Sequence, residues 1–235
     1  MNELKKNDII FLVDTLCEVI QNMKIAASFL GCAKIDKFLN KLNFTDIDYI
    51  HVDVMDGKYV KNKTMPLSEL ENITYYTRKR LDVHLMVLKP LKWIDNLASL
   101  NVECVTIHTD IKDNIEKVIN LSKKFGIKVG IAINPSQEIS EVYDYLDKID
   151  RVLIMSVEPG FSGQKFIETT PLKVQELRNE ITKRNLKTQI SVDGGINFLN
   201  AKDLKSADIL VSGSTIMNSD NYQDAITKLR KCASE

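Results

Sequence analysis

Tyr49-Ile50-His51-Val52-Asp53-Val54-Met55-Asp56-Gly57 reads as a buried strand that runs into a turn. Successive side chains of a strand point to opposite faces. His51, Asp53 and Met55 therefore share one face, and Ile50, Val52 and Val54 share the other. One face is hydrocarbon throughout, while the other carries an imidazole, a carboxylate and a thioether. An apolar core does not hold an unpaired carboxylate, because desolvating the charge is costly. Capping a turn is the use expected of Asp56 with Gly57, not of Asp53 inside the strand. The polar face is therefore expected to meet a cation or a polar ligand, with the rest of the chain as the frame that completes it.

The same alternation continues outward from this stretch. Strands are expected over residues 24–30, 48–54, 81–87, 103–108, 128–133, 151–156, 189–195 with its turn, and 209–211. Helical stretches run up to about Leu42, over 66–76, onward from Pro90, and up to about Phe125, where Gly126 is the stop. Further helices are expected over 139–146, 171–184, 201–204 and 222–231. Regular strand–helix alternation without linker or low-complexity segment predicts an α/β fold with a parallel sheet covered by helices. Eight such units match a (β/α)8 TIM barrel, whose usual length is about 250 residues. An open doubly wound sheet would carry a dinucleotide fingerprint after its first strand. Ser28-Phe29-Leu30-Gly31-Cys32 is not one.

Composition sets the bounds. The chain has 235 residues, of which 44% are hydrophobic, enough for a full core. Its 32 basic and 32 acidic residues balance, so no global field points to nucleic acid or to an anionic membrane. Cys17, Cys32, Cys104 and Cys232 are widely spaced and form no C-x-x-C pair, as expected of reduced thiols in a cytoplasmic protein. The apolar run from Ile9 to Val13 is interrupted by Asp14, too short for a membrane span or a signal peptide. Residues 8–22 are expected to form an amphipathic helix within an N-terminal extension, 1–23, that covers the barrel, 24–235, or an oligomer contact.

Active sites of such barrels lie at the C-terminal ends of the strands. Ser28, His51, Asp53, His84, Asp193 and Ser214 all fall there. Two carboxylates and two imidazoles from the second, third and seventh strands can converge across the mouth. A mixed nitrogen and oxygen set suits zinc, iron(II), manganese or cobalt. His108 ends the fourth strand with nothing to match it, and a structural or rim role is expected. Met55, Met86 and Met155 lie near the ends of strands two, three and six. They either pack the core or keep water from the site. Gly160-Phe161-Ser162-Gly163, Gly194-Gly195 and Gly213-Ser214 follow strands six, seven and eight. Glycines let backbone N–H groups approach an anion, and these loops commonly hold phosphate in barrels. A phosphate on one side and a metal with two carboxylates on the other describes a small sugar phosphate lying across the mouth.

With these segments assembled, the chain resembles the ribulose-phosphate 3-epimerase family. The matching motifs are His51-Val52-Asp53-Val54-Met55-Asp56-Gly57, Asp82-Val83-His84-Leu85-Met86, Met155-Ser156-Val157-Glu158-Pro159-Gly160-Phe161, Val192-Asp193-Gly194-Gly195 and Ser212-Gly213-Ser214. The resemblance implies a barrel of the ribulose-phosphate-binding type and a homo-oligomer. It implies that His51, Asp53, His84 and Asp193 bind one divalent metal. Asp53 would be the proton acceptor and Asp193 the proton donor in epimerisation at C3 through an enediolate. Ser28 and His84 would contact substrate, and the glycine segments would hold its phosphate. No organic cofactor is called for.

Some positions depart from the family's pattern. Ala27 stands in place of proline, Gly31-Cys32-Ala33 in place of Ser-Ala-Asp, and Lys61 where Val-Pro-Asn is usual, although Asn62 remains. Ser162 replaces a loop glycine and is expected to be strained by about 1 kcal/mol or more if that position needs positive φ. An epimerase of a hexulose such as allulose 6-phosphate would use the same site. A related barrel lyase would need a lysine beside the strand carboxylates, and Lys58 lies beyond the strand. A non-catalytic binder would not need both Asp53 and Asp193.

Overall fold

The computed structural model describes residues 23–234. The barrel strands are β1 (Lys24–Ser28), β2 (Tyr49–Asp56), β3 (Arg80–Met86), β4 (Val102–His108), β5 (Lys128–Ile133), β6 (Arg151–Met155), β7 (Gln189–Asp193) and β8 (Ile209–Ser212). Each pairs in parallel with the next, and β1 pairs with both β8 and β2, which closes the barrel. A two-residue strand, Lys63–Thr64, adds antiparallel to the end of β2. The (β/α)8 barrel expected from the alternation is therefore the observed architecture. The extension helix expected over 8–22, and Cys17 with it, lies outside the described residues. Among those residues no helix is long and apolar enough to cross a membrane.

Parity along the strands sorts the side chains. Ile50, Val52 and Val54 of β2, Leu81, Val83 and Leu85 of β3, and Val152 and Ile154 of β6 face outward. They join one apolar core with Phe38 and Leu39 of α1 (Ile35–Leu42), Leu70 and Ile73 of α2 (Leu67–Tyr76), and Ile94 and Leu97 of α3 (Leu91–Leu97). On the far side Val118 and Ile119 of α4 (Ile115–Lys124) and Leu177 and Ile181 of α5 (Thr170–Lys183) complete it. Each such aliphatic side chain contributes about 1.5–3 kcal/mol when fully buried, so this annulus holds the fold together. Local signals fit: the Asn114 side chain accepts from the Lys117 N–H at 2.9 Å, capping α4. Gly126, at φ +72°, ends the turn that follows it.

The helix expected over 139–146 is a correction. Only Ile139–Val142 is helical, and it is a 3-10 helix continued by turns. Tyr143, Tyr145 and Lys148 donate to the carbonyls of Ser140, Val142 and Tyr145, the three-residue pattern of that helix. Ile139, Val142 and Leu146 are all buried, so the apolar spacing does mark the face turned to the core. The segment is too short, and too rich in β-branched, aromatic and aspartate residues, to hold a full α-helix.

The inward positions contain little hydrocarbon. Ala26, Tyr49, Ile209 and Val211 form one small cluster, and Ala132, Leu153 and Met155 another. Other inward positions carry His51, Asp53, Asp82, His84, Thr106, His108, Arg151 and Ser191, all buried. Barrel interiors are usually layered with branched apolar residues, so this polar filling marks the site. A last pair of helices, α6 (Ser214–Met217) and α7 (Tyr222–Ser234), follows β8.

Candidate active site

Asp53 stands at the centre of the C-terminal mouth. Its Oδ1 lies 3.3 Å from His84 Nδ1 and 3.4 Å from His51 Nε2, and its Oδ2 accepts from the Ser28 hydroxyl at 3.1 Å. Asp193, from β7, places Oδ2 3.7 Å from His51 Nε2. One ligand atom from each of His51, Asp53, His84 and Asp193 lies within 4.8 Å of the others. His51 Nε2 is buried and makes no hydrogen bond of good geometry. Ligand atoms about 2.1 Å from a tetrahedrally held ion stand about 3.4 Å apart. The observed separations and the unpartnered nitrogen therefore fit a cation shared by the four residues.

The charges are arranged around that point. Burial pushes the His51 imidazole down, but the Asp53 charge beside it, the hydrogen bond to Asp82 and the Asp193 charge outweigh it, leaving its pKa well above the usual value. Burial works against ionised Asp53, yet His51 and His84 hold it far below the usual carboxylate range. Asp193 goes the other way: burial first, with the Asp53 and Asp82 charges, pushes it up to about 6 against the pull of His51 and His84. In the ion-free protein the two carboxylates are thus set apart, one ionised and the other holding its proton up to about pH 6.

Above the cluster opens a cavity of about 540 Å³. Ser28, Asp53, Met86, Met155, Gly160, Phe161, Ser162, Gly163, Asp193, Gly194, Gly195, Gly213 and Ser214 line it. His51 and His84 lie beneath it, 1% and 0% exposed. Of the three methionines, Met55 is buried at 1% exposure and does not line the cavity, so packing accounts for it. Met217 and Asn197 do line it, and nothing in the strand pattern singled them out.

The glycine wall is sterically required. A Cβ on Gly194, at φ +123°, would lie 2.5 Å from the Val157 side chain. One on Gly195, at φ +65°, would lie 2.8 Å from the Phe166 backbone nitrogen. The Ser156 hydroxyl is held between the carbonyls of Asp193 and Gly194, at 2.8 and 2.6 Å, tying the β6 and β7 loops together. Position 162 does not take positive φ, so Ser162 escapes that strain: the positive φ values of its loop fall on Gly160 and Gly163. Its hydroxyl instead occupies space near Gly31, where a Cβ would lie 2.7 Å from Ser162 Oγ. The departures at 31 and 162 therefore touch each other across the mouth. Asn62 donates to the Gly160 carbonyl at 3.1 Å, so the loop carrying Lys61 remains fastened.

Asp56 caps its turn, accepting from the Lys58 and Tyr59 N–H groups at 2.8 and 2.9 Å. His108 packs as a structural residue. Its Nε2 is 2.8 Å from His84 Nε2, its ring centre is 4.6 Å from that of Tyr59, and burial keeps it neutral. Asp82 and Arg151 also stand under the site, and sequence reasoning gave neither a role. Asp82 shares the inward parity of His84 two positions on, the one signal that could have marked it.

A model of the ribulose-phosphate 3 epimerase family matches residues 24–217. The chain belongs to that family. Ribulose-phosphate 3-epimerase of Buchnera aphidicola is 42% identical over 188 residues, 78% of this chain and 82% of its own length. That of Helicobacter pylori strain J99 is 37% identical over 210 residues, 88% of this chain and 97% of its own. Among solved structures, 3-hexulose-6-phosphate synthase of Salmonella typhimurium aligns with a TM-score of 0.65 over 90% of this chain and 98% of its own. At 16% identity that likeness is one of fold. Membership makes the chain an enzyme, an isomerase of the epimerase type.

Proposed function

We propose that this epimerase interconverts D-ribulose 5-phosphate and D-xylulose 5-phosphate by two-base proton transfer at C3. One observation carries the reading: Asp53 on β2 and Asp193 on β7 reach the floor of one cavity, with His51 between them. Inverting a carbon next to a ketone needs a base on one face and an acid on the other, and each group exchanges roles when the reaction reverses. Asp53, held ionised, removes the C3 proton. Asp193 delivers a proton to the other face. The Ser28 hydroxyl, donating to Asp53 Oδ2, fixes the carboxylate's rotation and leaves Oδ1 toward the imidazoles.

His51, Asp53, His84 and Asp193 would hold a divalent ion, and their mixed donors suit zinc, iron(II), manganese or cobalt. When bound, such an ion supplies positive charge that stabilises the negative charge developing on the substrate oxygens. Met86 and Met155 exclude water beside the reacting carbon. The backbone of Gly160 to Gly163, Gly194-Gly195 and Gly213-Ser214 receives the phosphate at the other end of the cavity. The free thiols Cys32, Cys104 and Cys232 fit a reducing, cytoplasmic setting.

The test is proton NMR in deuterated buffer with ribulose 5-phosphate and allulose 6-phosphate compared directly. Deuterium uptake at C3 with formation of the C3 epimer, much faster for the pentulose, is expected. Faster turnover of the hexulose would reassign the substrate, and absence of C3 exchange from both would end the two-base reading.

A further inference from the structure

We propose that Asp82 and Arg151 are positioning residues, a buried relay that presents His51 Nε2 to the metal. The inference rests on the reading above that His51 is a ligand. Asp82 lies beside His51 in register on the neighbouring strand, and its Oδ2 is 2.8 Å from His51 Nδ1. Its other oxygen, Oδ1, accepts from Arg151 Nη1 at 2.5 Å. His51, Asp82 and Arg151 are 1%, 2% and 1% exposed.

The chemistry follows from what each group can donate. An ionised carboxylate only accepts, so the His51 nitrogen facing Asp82 must carry a proton. In the neutral ring, that leaves the lone pair on Nε2, the nitrogen aimed at Asp53 and Asp193. Arg151 stays charged and keeps Asp82 an acceptor. The guanidinium is itself held in place: its centre lies 5.5 Å from the ring centre of Tyr49, two positions before His51 on β2. The relay thus runs from β6 through β3 to β2, and it fixes both the tautomer and the tilt of one ligand.

Stability does not account for this arrangement. A buried ion pair usually gains little over well-packed hydrocarbon of the same volume. Here Arg151 Nε even lacks a hydrogen-bond partner. Orienting a ligand does account for it, since carboxylate partners of metal-bound histidines commonly raise metal affinity about 10–100-fold.

The relay is tested by titrating chelator-treated protein with Co(II), read by its visible absorption, alongside thermal melts of the ion-free forms. The variants are Asp82→Asn, which keeps an acceptor for His51, and the double variant Asp82→Leu/Arg151→Met, which replaces the pair with hydrocarbon. The double variant is expected to melt close to the wild type yet bind Co(II) about 10–100-fold more weakly, with Asp82→Asn falling between. Equal affinity in wild type and double variant overturns the relay while leaving the metal reading intact. If the double variant does not fold, wild-type affinity in Asp82→Asn overturns the relay just as well. A wild type that takes up no Co(II), or takes it up unchanged after His51→Ala, overturns the metal reading and the relay with it.

Discussion

Asp193→Asn separates the two roles assigned to that carboxylate. In the ion-free protein burial, helped by Asp53, pushes Asp193 from 3.8 up to about 6. A folded pKa raised above the unfolded value favours folding with the proton on. The benefit is complete below about pH 4 and is lost as the pH rises through about 6. At about 1.4 kcal/mol per pKa unit, the wild type gives up about 3 kcal/mol over that window. The amide has no such proton to lose. It also deprives His51, whose Nε2 lies 3.7 Å away, of one favourable anion. Because the two groups interact, the variant's net gain over wild type at pH 8 is about 1–3 kcal/mol. Urea unfolding of both chelator-treated proteins at pH 4 and pH 8 measures it. The difference should move in the variant's favour as the pH rises, and a flat difference would refute the electrostatic argument. Loaded with metal in deuterated buffer, the same variant should lose epimerisation by about 10²–10⁴-fold. It should still exchange the C3 proton of ribulose 5-phosphate, because Asp53 remains on that face. Turnover near that of the wild type in the folded, loaded variant would refute the two-base scheme.

Chelation should abolish epimerisation, with restoration by one or more of zinc, iron(II), manganese and cobalt; full turnover by metal-free protein would remove the ion from the reaction. Metal affinity should rise with pH, since His51, raised by Asp53 despite the opposing effect of burial, must shed its proton to bind. Calorimetry in buffers of different ionisation heat reads that release directly. Gly31→Ser should cost about 1 kcal/mol or more, because residue 31 sits at φ +83° and faces Ser162 Oγ. Adding Ser162→Gly should relieve the collision but not the backbone penalty, so a double-mutant cycle should show coupling between the two sites. Gly194→Ala should raise KM for the sugar phosphate, since its Cβ would displace Val157; an unchanged KM would show that this turn does not shape the phosphate end.

The β2 stretch carried so much information because strand parity is strict. Once Ile50, Val52 and Val54 are outward, His51 and Asp53 can only point into the barrel, and the same rule places His84 and Asp193. Repetition of strand and helix then fixes which ends of the strands come together. What parity does not carry is contact across the barrel or geometry within a loop. Nothing in Gly160-Phe161-Ser162-Gly163 says which residues take positive φ, and the glycines at its two ends do so. In Ile139, Val142 and Leu146 the apolar spacing serves a 3-10 turn as well as an α-helix. Arg151 is the clearest case. It follows Asp150 at the start of a strand, where a charge reads as an exposed lip. Its partner, Asp82, lies 69 residues earlier on a strand it does not pair with.

That partner changes how the polar interior is understood. Asp53, Asp82 and Asp193 put three carboxylates into the same barrel, and Arg151 is the cation bonded to Asp82. Burying such an excess of negative charge is prohibitive unless it is balanced. In the ion-free protein below about pH 6 the balance comes from protons: His51 is held protonated, and Asp193, pushed up to about 6, keeps its own. A divalent ion among the four ligands would restore the same neutrality with both imidazoles neutral and all three carboxylates ionised. The interior is therefore matched to a charge of two, and a monovalent cation would leave it short. Sodium or potassium at high concentration should accordingly fail to replace the divalent ion, either in turnover or in protection against unfolding at pH 8. Full protection by either would refute the charge-matching argument.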